Sequence, residues 1–341
     1  MTNPLIEPVP TVSVIIPAHN AVPYLEASLA AVKAELPEKG ELILVDDCST
    51  DRTAERASEL GARILRLETN SGPSAARNMG AAEARGEILF FVDSDVVIRP
   101  GAVDRVLSFF MSHPEYDAVF GSYDARPLAK GTVAQYRNLL HHYVHQTGNP
   151  EAATFWGACG AIRREAFGAL EGFDSQRFPR CIEDIELGYR LRESGRRIYL
   201  DKGLQCTHLK RWTLASVIRT DIFCRAIPWA RLNQDRGGAP DDLNIKLSQK
   251  VSVALTGLGL ACLVLALFLP LLLVPAGLAL VAVTVLNREL FLFFHRQRGA
   301  WFALSCLPLH LLYFFYSGLS YAHTLFSLRL GRPLRDGNSP G

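Results

Sequence analysis

Between Val251 and Leu286 the chain runs 36 residues without a charged side chain. As a single helix that run is about 54 Å long, against a hydrocarbon core of about 30 Å. A core helix of a soluble protein has no use for such length, so the run reads as membrane-crossing. One straight pass leaves too much over. Pro270 and Pro275 sit mid-run, where a hairpin can turn. Two short passes are therefore expected, with one kinked long helix as the rival. A second uncharged run, Ala300–Leu328, is long enough for a further span, and its Tyr313, Tyr316 and Tyr321 suit a membrane–water interface.

Charge separates this region from the rest. From Ser248 onward there are seven Lys/Arg against two Asp/Glu, a balance of +5. The whole chain carries only +2, so the part before it is −3. That balance excludes a dedicated nucleic-acid binder. Arg288, Arg296 and Arg298 favour an inside connection between the apolar runs, and Arg329, Arg332 and Arg335 of the tail ask for the inside too. Three passes put the tail outside, so the last run reads either as a span or as a re-entrant or interfacial segment. Met1–Thr11 has neither a basic stretch nor an apolar segment of signal-peptide type. The domain ahead of the apolar runs is thus expected on the cytoplasmic side of the membrane. Seven scattered Cys with no C-x-x-C pair suit a reducing compartment. Just before the first run, Trp212, Ile218, Ile222, Phe223, Ile227 and Trp229 alternate with Arg219, Arg225 and Arg231. This pattern fits an amphipathic segment lying on the bilayer, or equally an ordinary domain helix.

The first part alternates strand and helix. Val12–Ile16 is a continuous β-branched apolar run stopped by Pro17, and Pro23–Lys33 has helical spacing. Leu42–Val45 is a second strand, Thr53–Leu60 a helix closed by Gly61, and Ala62–Leu67 a strand. Ala75–Ala84 is a helix closed by Gly86, and Ile88–Val92 a strand that runs into Asp93-Ser94-Asp95. Such alternation demands a parallel sheet with right-handed crossovers, and ligands then bind at the carboxyl ends of its strands. Two of those ends carry clustered aspartates: Asp46-Asp47 and Asp93-Ser94-Asp95. Neither G-x-G-x-x-G after the first strand nor G-x-x-x-x-G-K-[ST] is present, so dinucleotide dehydrogenases and P-loop enzymes lose their main support. A divalent cation held by carboxylates is the obvious substitute for managing phosphate charge.

At this point the chain resembles a known family, the inverting family 2 glycosyltransferases of the GT-A fold, in their membrane-anchored bacterial form. The residues that carry the resemblance are VSVIIPAHN (12–20), VDDCSTD (45–51), GPSAARNMGAAEARGE (72–87), FVDSD (91–95) and EDIELGYRL (183–191), with EGFD (171–174) and HLKRW (208–212) behind them. The resemblance implies an α/β domain with a Rossmann-like, mostly parallel sheet, followed by transmembrane helices. It implies nucleotide contacts at Pro17, Asn20, Asp46, Asp47, Arg77 and Asp93. It places Mg²⁺ or Mn²⁺ at Asp95, with Asp93 touching ribose or metal through water, and it makes Asp184 the base that takes the acceptor hydroxyl's proton. Glu183, Trp156, His208, Lys210, Arg211 and Trp212 fall to the diphosphate and acceptor side. Processive relatives carry Q-x-x-R-W where this chain has His208-Leu209-Lys210-Arg211-Trp212, which puts repeated transfer in doubt.

The bland readings run beside these. Asp47 is also part of a turn capped by Ser49 or Thr50, Glu183 a helix-dipole partner, and Lys210 a basic juxtamembrane residue meeting anionic lipid. His141 and His145 share a helix face, but H-E-x-x-H lacks its Glu here, so a zinc protease is excluded. The expected division is a tail at 1–11, a transferase domain at 12–210 with halves 12–100 and 101–210, an interfacial segment at 211–247, an anchor at 248–328 and a basic tail at 329–341. The expected partners are a nucleotide-sugar donor, a lipid-linked or membrane-associated glycan acceptor and membrane lipids. Two rivals stand: a polyprenyl-phosphate glycosyltransferase of the dolichyl-phosphate-mannose-synthase type, whose phosphate acceptor needs no base, and a catalytically silent nucleotide-binding scaffold.

Overall fold

The computed structural model describes residues 11–237, 247–331, 334 and 336–338. The expected N-terminal tail up to residue 10, and Arg332 and Arg335 of the basic tail, lie outside the described residues. The chain divides into two compact units, residues 1–124 with 150–209 and residues 125–149 with 210–341. Residues 125–149, which the sequence reading puts in the transferase domain, group with the C-terminal unit.

The first unit is built on β1 (Val12–Ala18), α1 (Val22–Glu35), β2 (Glu41–Asp46), α2 (Thr53–Glu59), β3 (Arg63–Arg66), α3 (Pro73–Glu83), β4 (Ile88–Val92), β5 (Val96–Ile98), α4 (Ala102–Ser112) and β6 (Ala118–Tyr123). After the residues of the other unit, β7 (Cys159–Arg163), α6 (Arg164–Ala169), α7 (Glu183–Glu193) and β8 (Ile198–His208) complete it. The eight strands form one sheet in the order β3-β2-β1-β4-β7-β6-β8-β5. β1 to β4 are parallel, β7 runs against both β4 and β6, and β8 is parallel to β6. The order reverses between β1 and β4, which opens a crevice at their carboxyl ends. The sheet is mostly parallel and Rossmann-like, as the alternation of apolar runs requires. Its core is aliphatic and aromatic, with Ile15, Ile16, Leu44, Phe90, Phe91 and Phe120 fully buried.

Pro17 does not stop β1. The strand continues to Ala18, with Pro17 paired in register to Val45. The β1–β4 ladder ends at Ile15–Phe91, so Pro17 lies beyond it and has a strand on one side only, where a missing N–H is tolerated. The strand end therefore reaches the crevice two residues later than the sequence suggests.

In the second unit, α5 (Thr132–Gln146) precedes α8 (Leu214–Asp221), a π-helical turn (Ile222–Ala226) and α9 (Ile227–Asp235). Within the segment expected at the interface, residues 214–235 are thus continuous helix, and residues 238–246 lie outside the described residues. Then come α10 (Leu247–Leu265), α11 (Leu273–Leu286), α12 (Arg288–Arg298) and α13 (Ala300–Arg329). The 36-residue uncharged run breaks between α10 and α11, at residues 266–272, and the chain turns there rather than continuing as one kinked helix. Small residues permit the close packing of these helices. A Cβ on Gly259 meets Ala279 at 3.2 Å, and one on Gly318 meets Val253 at 2.6 Å. α10 and α13 are long and apolar enough to cross a membrane; α11 and α12 form a pair bent by 66°. In the break between α10 and α11, Leu267 and Phe268 are 81% and 85% exposed, an exposure that suits lipid rather than water.

Candidate active site

The crevice is lined by the loops after β1, β2 and β4 and by the start of α7. The first two loops are tied together. Asn20, with φ of 50°, accepts from the Thr50 backbone N–H at 2.9 Å, and its own N–H donates to Ser49 Oγ at 3.0 Å. Asp46 is buried and accepts from the Ser49 N–H at 3.1 Å. Asp47 is buried as well, and both its oxygens accept backbone N–H groups: Oδ1 from Ser71 at 2.7 Å and Oδ2 from Gly72 at 2.8 Å. It therefore fixes the loop that enters α3, and each oxygen keeps a second lone pair for a ligand. Gly72 has φ of 90°, and a Cβ there meets Pro179 O at 2.2 Å, so this close approach requires glycine.

α3 carries Arg77 into the interior. Its side chain is 5% exposed, and it bonds Glu183 Oε1 through one terminal nitrogen and Asp93 Oδ1 through the other, both at 2.6 Å. Its Nε is buried without a hydrogen-bond partner, while its guanidinium carbon sits 5.6 Å over the Phe173 ring. Burial works against this charge, but Asp93, Glu183 and Asp184 together hold its pKa above the ordinary arginine value. Arg77, expected to meet phosphate or base, instead joins two stretches of chain that carry the acidic residues.

Glu183 and Asp184 open α7. The residue before them, Ile182, has φ of 59°, a strained conformation for a β-branched side chain. That turn aims both carboxylates inward. Asp184 Oδ2 accepts the Gly157 N–H at 3.0 Å, and Oδ1 accepts the Ile185 N–H at 2.8 Å. The first contact depends on Gly188, one turn on, where a Cβ meets Phe155 N at 2.3 Å and Thr154 Cα at 2.6 Å. Only glycine lets α7 lie this close to the 154–157 segment. Burial raises the pKa of Asp184 against the pull of the Gly157 N–H and Arg77. Burial also lifts Glu183 to about 7, with Arg77 opposing and Asp184 adding to the rise. Asp93 is raised by burial and by the neighbouring Asp95 charge, against Arg77.

β5 pairs with β8 so that Val96 faces His208, and the Leu209 N–H donates to Asp95 O at 2.8 Å. This register brings His208 Nε2 within 3.3 Å of Asp95 Oδ2. The imidazole stacks on Tyr123, ring centroids 4.5 Å apart and planes 9° from parallel, and Tyr123 meets Trp156 edge-on at 4.9 Å. Tyr123 escapes sequence reasoning. It ends β6 outside every motif, and only its place opposite His208 draws attention to it. Among the described residues no cluster of three or more His, Cys, Asp and Glu side chains is set to hold a metal unaided. Asp95, just before β5, and His208, at the end of β8, offer two donors, while Asp93 Oδ1 is engaged by Arg77. Two protein donors fit Mg²⁺ or Mn²⁺, which are commonly bound by one or two protein ligands plus substrate phosphates.

Lys210, Arg211 and Trp212 belong to the second unit. There the Lys210 ammonium sits 4.4 Å over the Trp212 ring, Arg137 lies 5.9 Å over the same ring, and Arg211 is exposed.

The profile of glycosyl transferase family 2 matches residues 13–170. An uncharacterized glycosyltransferase of Haemophilus influenzae is 30% identical over 191 residues, 52% of this chain and 61% of that one. The poly(ribitol-phosphate) beta-N-acetylglucosaminyltransferase TarS of Staphylococcus aureus is 36% identical over 108 residues, 30% of this chain and 19% of that one. The chain thus spans less than two thirds of the length of these relatives. Among solved structures, the mannosyltransferase PcManGT of Pyrobaculum calidifontis, in complex with GDP-Man and Mn²⁺, superposes with a TM-score of 0.56 at 18% identity, covering 95% of this chain and 88% of that one. That likeness is one of fold.

Proposed function

We propose that this chain, whose residues 13–170 match the profile of glycosyl transferase family 2, is an inverting glycosyltransferase. It moves a sugar from a nucleotide-sugar donor of the UDP-linked type to a hydroxyl of a membrane-associated or lipid-linked acceptor. The observation that carries the reading is Asp184, held by the Gly157 N–H at a site that only Gly188 makes possible. A carboxylate so oriented, with a pKa raised by burial, is a better base than an ordinary aspartate. It takes the proton of the acceptor hydroxyl as that oxygen attacks the anomeric carbon. The bond from that carbon to the diphosphate oxygen breaks, and the nucleoside diphosphate leaves from the opposite face. A single in-line displacement inverts the anomeric centre. An acceptor that was already an ionised phosphate would need no such base, which favours a hydroxyl.

Arg77 serves by position, joining the Asp93 loop to the start of α7 so that donor and base sites keep a fixed separation. Asp47 supports nucleotide binding by holding the Ser71–Gly72 loop. Asp95 and His208 would hold Mg²⁺ or Mn²⁺, which when bound offsets charge on the departing diphosphate. Lys210 and Arg211, two and three residues after His208 in the chain, are assigned to the same charge. Trp156 and Tyr123 offer ring faces and edges of the kind that sugars pack against. The two apolar helices support a membrane anchor and hence an acceptor at the membrane. The test is a panel of nucleotide sugars given to the purified, detergent-solubilised chain with Mg²⁺ or Mn²⁺ and total membrane lipid. The reading expects metal-dependent release of one nucleoside diphosphate, stimulated by lipid. No turnover would overturn it, and nucleotide binding without turnover would leave the silent nucleotide-binding scaffold.

A further inference from the structure

The second unit holds an open cavity of about 510 Å³. Its wall is contributed by α5, the α8–α9 segment, α10 and α13. Three cationic side chains line it: Arg137, Arg225 and Lys250. Among the described residues Asp221 is the one carboxylate on the wall. Asp221 accepts from Arg137 at 2.6 Å on Oδ1 and from the Tyr316 hydroxyl at 2.6 Å on Oδ2. Arg137 is 7% exposed and is used up by this pair. Arg225 is different. It makes a longer ion pair with Asp221, at 3.6 Å, and its side chain is 39% exposed. Lys250 is exposed too. The cavity therefore has a surplus of positive charge at two accessible side chains, in a wall that also carries Trp229 and Tyr321 and is otherwise uncharged apart from its histidines.

Depth in the bilayer narrows the choice of ligand. Lys250 lies in the first turn of α10, one of the two helices long and apolar enough to cross a membrane. The end of a span sits at headgroup level, where aromatic side chains and cations collect. A ligand for this place needs an anionic head for Arg225 and Lys250 and an apolar body for the rest of the wall. A free anion leaves the apolar wall unused, and a neutral lipid leaves the charge surplus unanswered.

We infer that this cavity is a binding site for a membrane lipid whose headgroup is a net-anionic phosphate, held by Arg225 and Lys250. The inference stands apart from the transfer chemistry, because lipid retention and donor turnover are separate readouts. The full chain, purified in detergent and stripped of lipid, is mixed with dimyristoyl phosphatidic acid, with dimyristoyl phosphatidylcholine, or with inorganic phosphate, and bound ligand is counted by native mass spectrometry. The expected result is one saturable equivalent of phosphatidic acid, held at least about tenfold more tightly than phosphatidylcholine, with no retention of inorganic phosphate. Arg225→Gln combined with Lys250→Gln should weaken phosphatidic acid about tenfold or more, the scale of losing charge-assisted bonds. Both residues are accessible and the Arg137–Asp221 pair is untouched, so the variant's thermal unfolding should match the parent's. Equal retention of the two lipids would mean that the cavity ignores headgroup charge. Retention of inorganic phosphate alone would mean a free-anion site. An unchanged affinity in the double variant would place the headgroup elsewhere. Each of these overturns the inference.

Discussion

Replacing Arg77 by Met removes the one cation that holds Asp93 and Glu183 together, at 2.6 Å on each side, in a site where Arg77 is 5% and Glu183 8% exposed. Breaking a buried ion pair by removing one partner costs about 3–5 kcal/mol, because the remaining charge is left uncompensated. Here the cost must depend on pH. Glu183, Asp184 and Asp93 already have raised pKa values through burial, and without Arg77 they rise further. Near pH 5 Glu183, whose pKa is about 7, takes up its proton, and the loss there is mainly of hydrogen bonds, at about 1–2 kcal/mol. At pH 8 the carboxyl charges must be buried or their protons held against the medium, and the larger figure applies. At about 2–4 °C per kcal/mol for a unit of this size, the fall in Tm should be on the order of 10 °C at pH 8 and only a few degrees at pH 5. Thermal unfolding in detergent at the two pH values measures this. Adding Glu183→Gln to Arg77→Met should recover part of the loss at pH 8, since one uncompensated carboxyl is gone. A shift that is equal at both pH values, or below about 3 °C at pH 8, would refute the account of Arg77 as the tie between donor loop and base.

Three further outcomes follow from the same geometry. Gly188→Ala should push α7 off the 154–157 segment, costing about 1–3 kcal/mol of stability and lowering transfer by about a hundredfold; an active, well-folded variant would contradict the role given to that glycine. The acid limb of the kcat/KM profile should lie above the ordinary aspartate range, because a base whose pKa is raised is ionised only at higher pH and loses activity as pH falls through it; a limb at or below pH 4 would contradict this. Glu183, with its folded pKa raised to about 7, contributes stability that is fully present below its unfolded value of 4.5 and lost as pH rises through 7. Wild type should therefore lose stability across that window relative to Glu183→Gln, as urea melts at successive pH values will read.

Much of the first unit was legible because its evidence is local. Apolar β-branched runs of strand length, helices closed by Gly61 and Gly86, and aspartates at two strand ends all lie within a few residues of one another. The ends of elements were less legible. Pro17 reads as a stop, yet the strand passes it because the neighbouring ladder has already ended. Arg77 was legible as a site residue but not in its partners, since Glu183 lies 106 residues away in sequence. Gly188 is a glycine inside a helical pattern, and only the backbone of Thr154 and Phe155 gives it a reason. Tyr123 has no motif around it and gains meaning from the β5–β8 register. The membrane region was legible by composition, which marks apolar length but not where the chain turns; that depends on helix packing through Gly259 and Gly318.

The most direct test of the central claim is the transfer rate of Asp184→Asn, with nucleotide-sugar binding measured on the same preparation. Asparagine keeps the shape and can still accept the Gly157 N–H, but it cannot take a proton. The account predicts unchanged donor affinity with transfer lowered by about 10²–10⁴-fold. Transfer at the wild-type rate would contradict Asp184 as the base, and with it the mechanism built around this site.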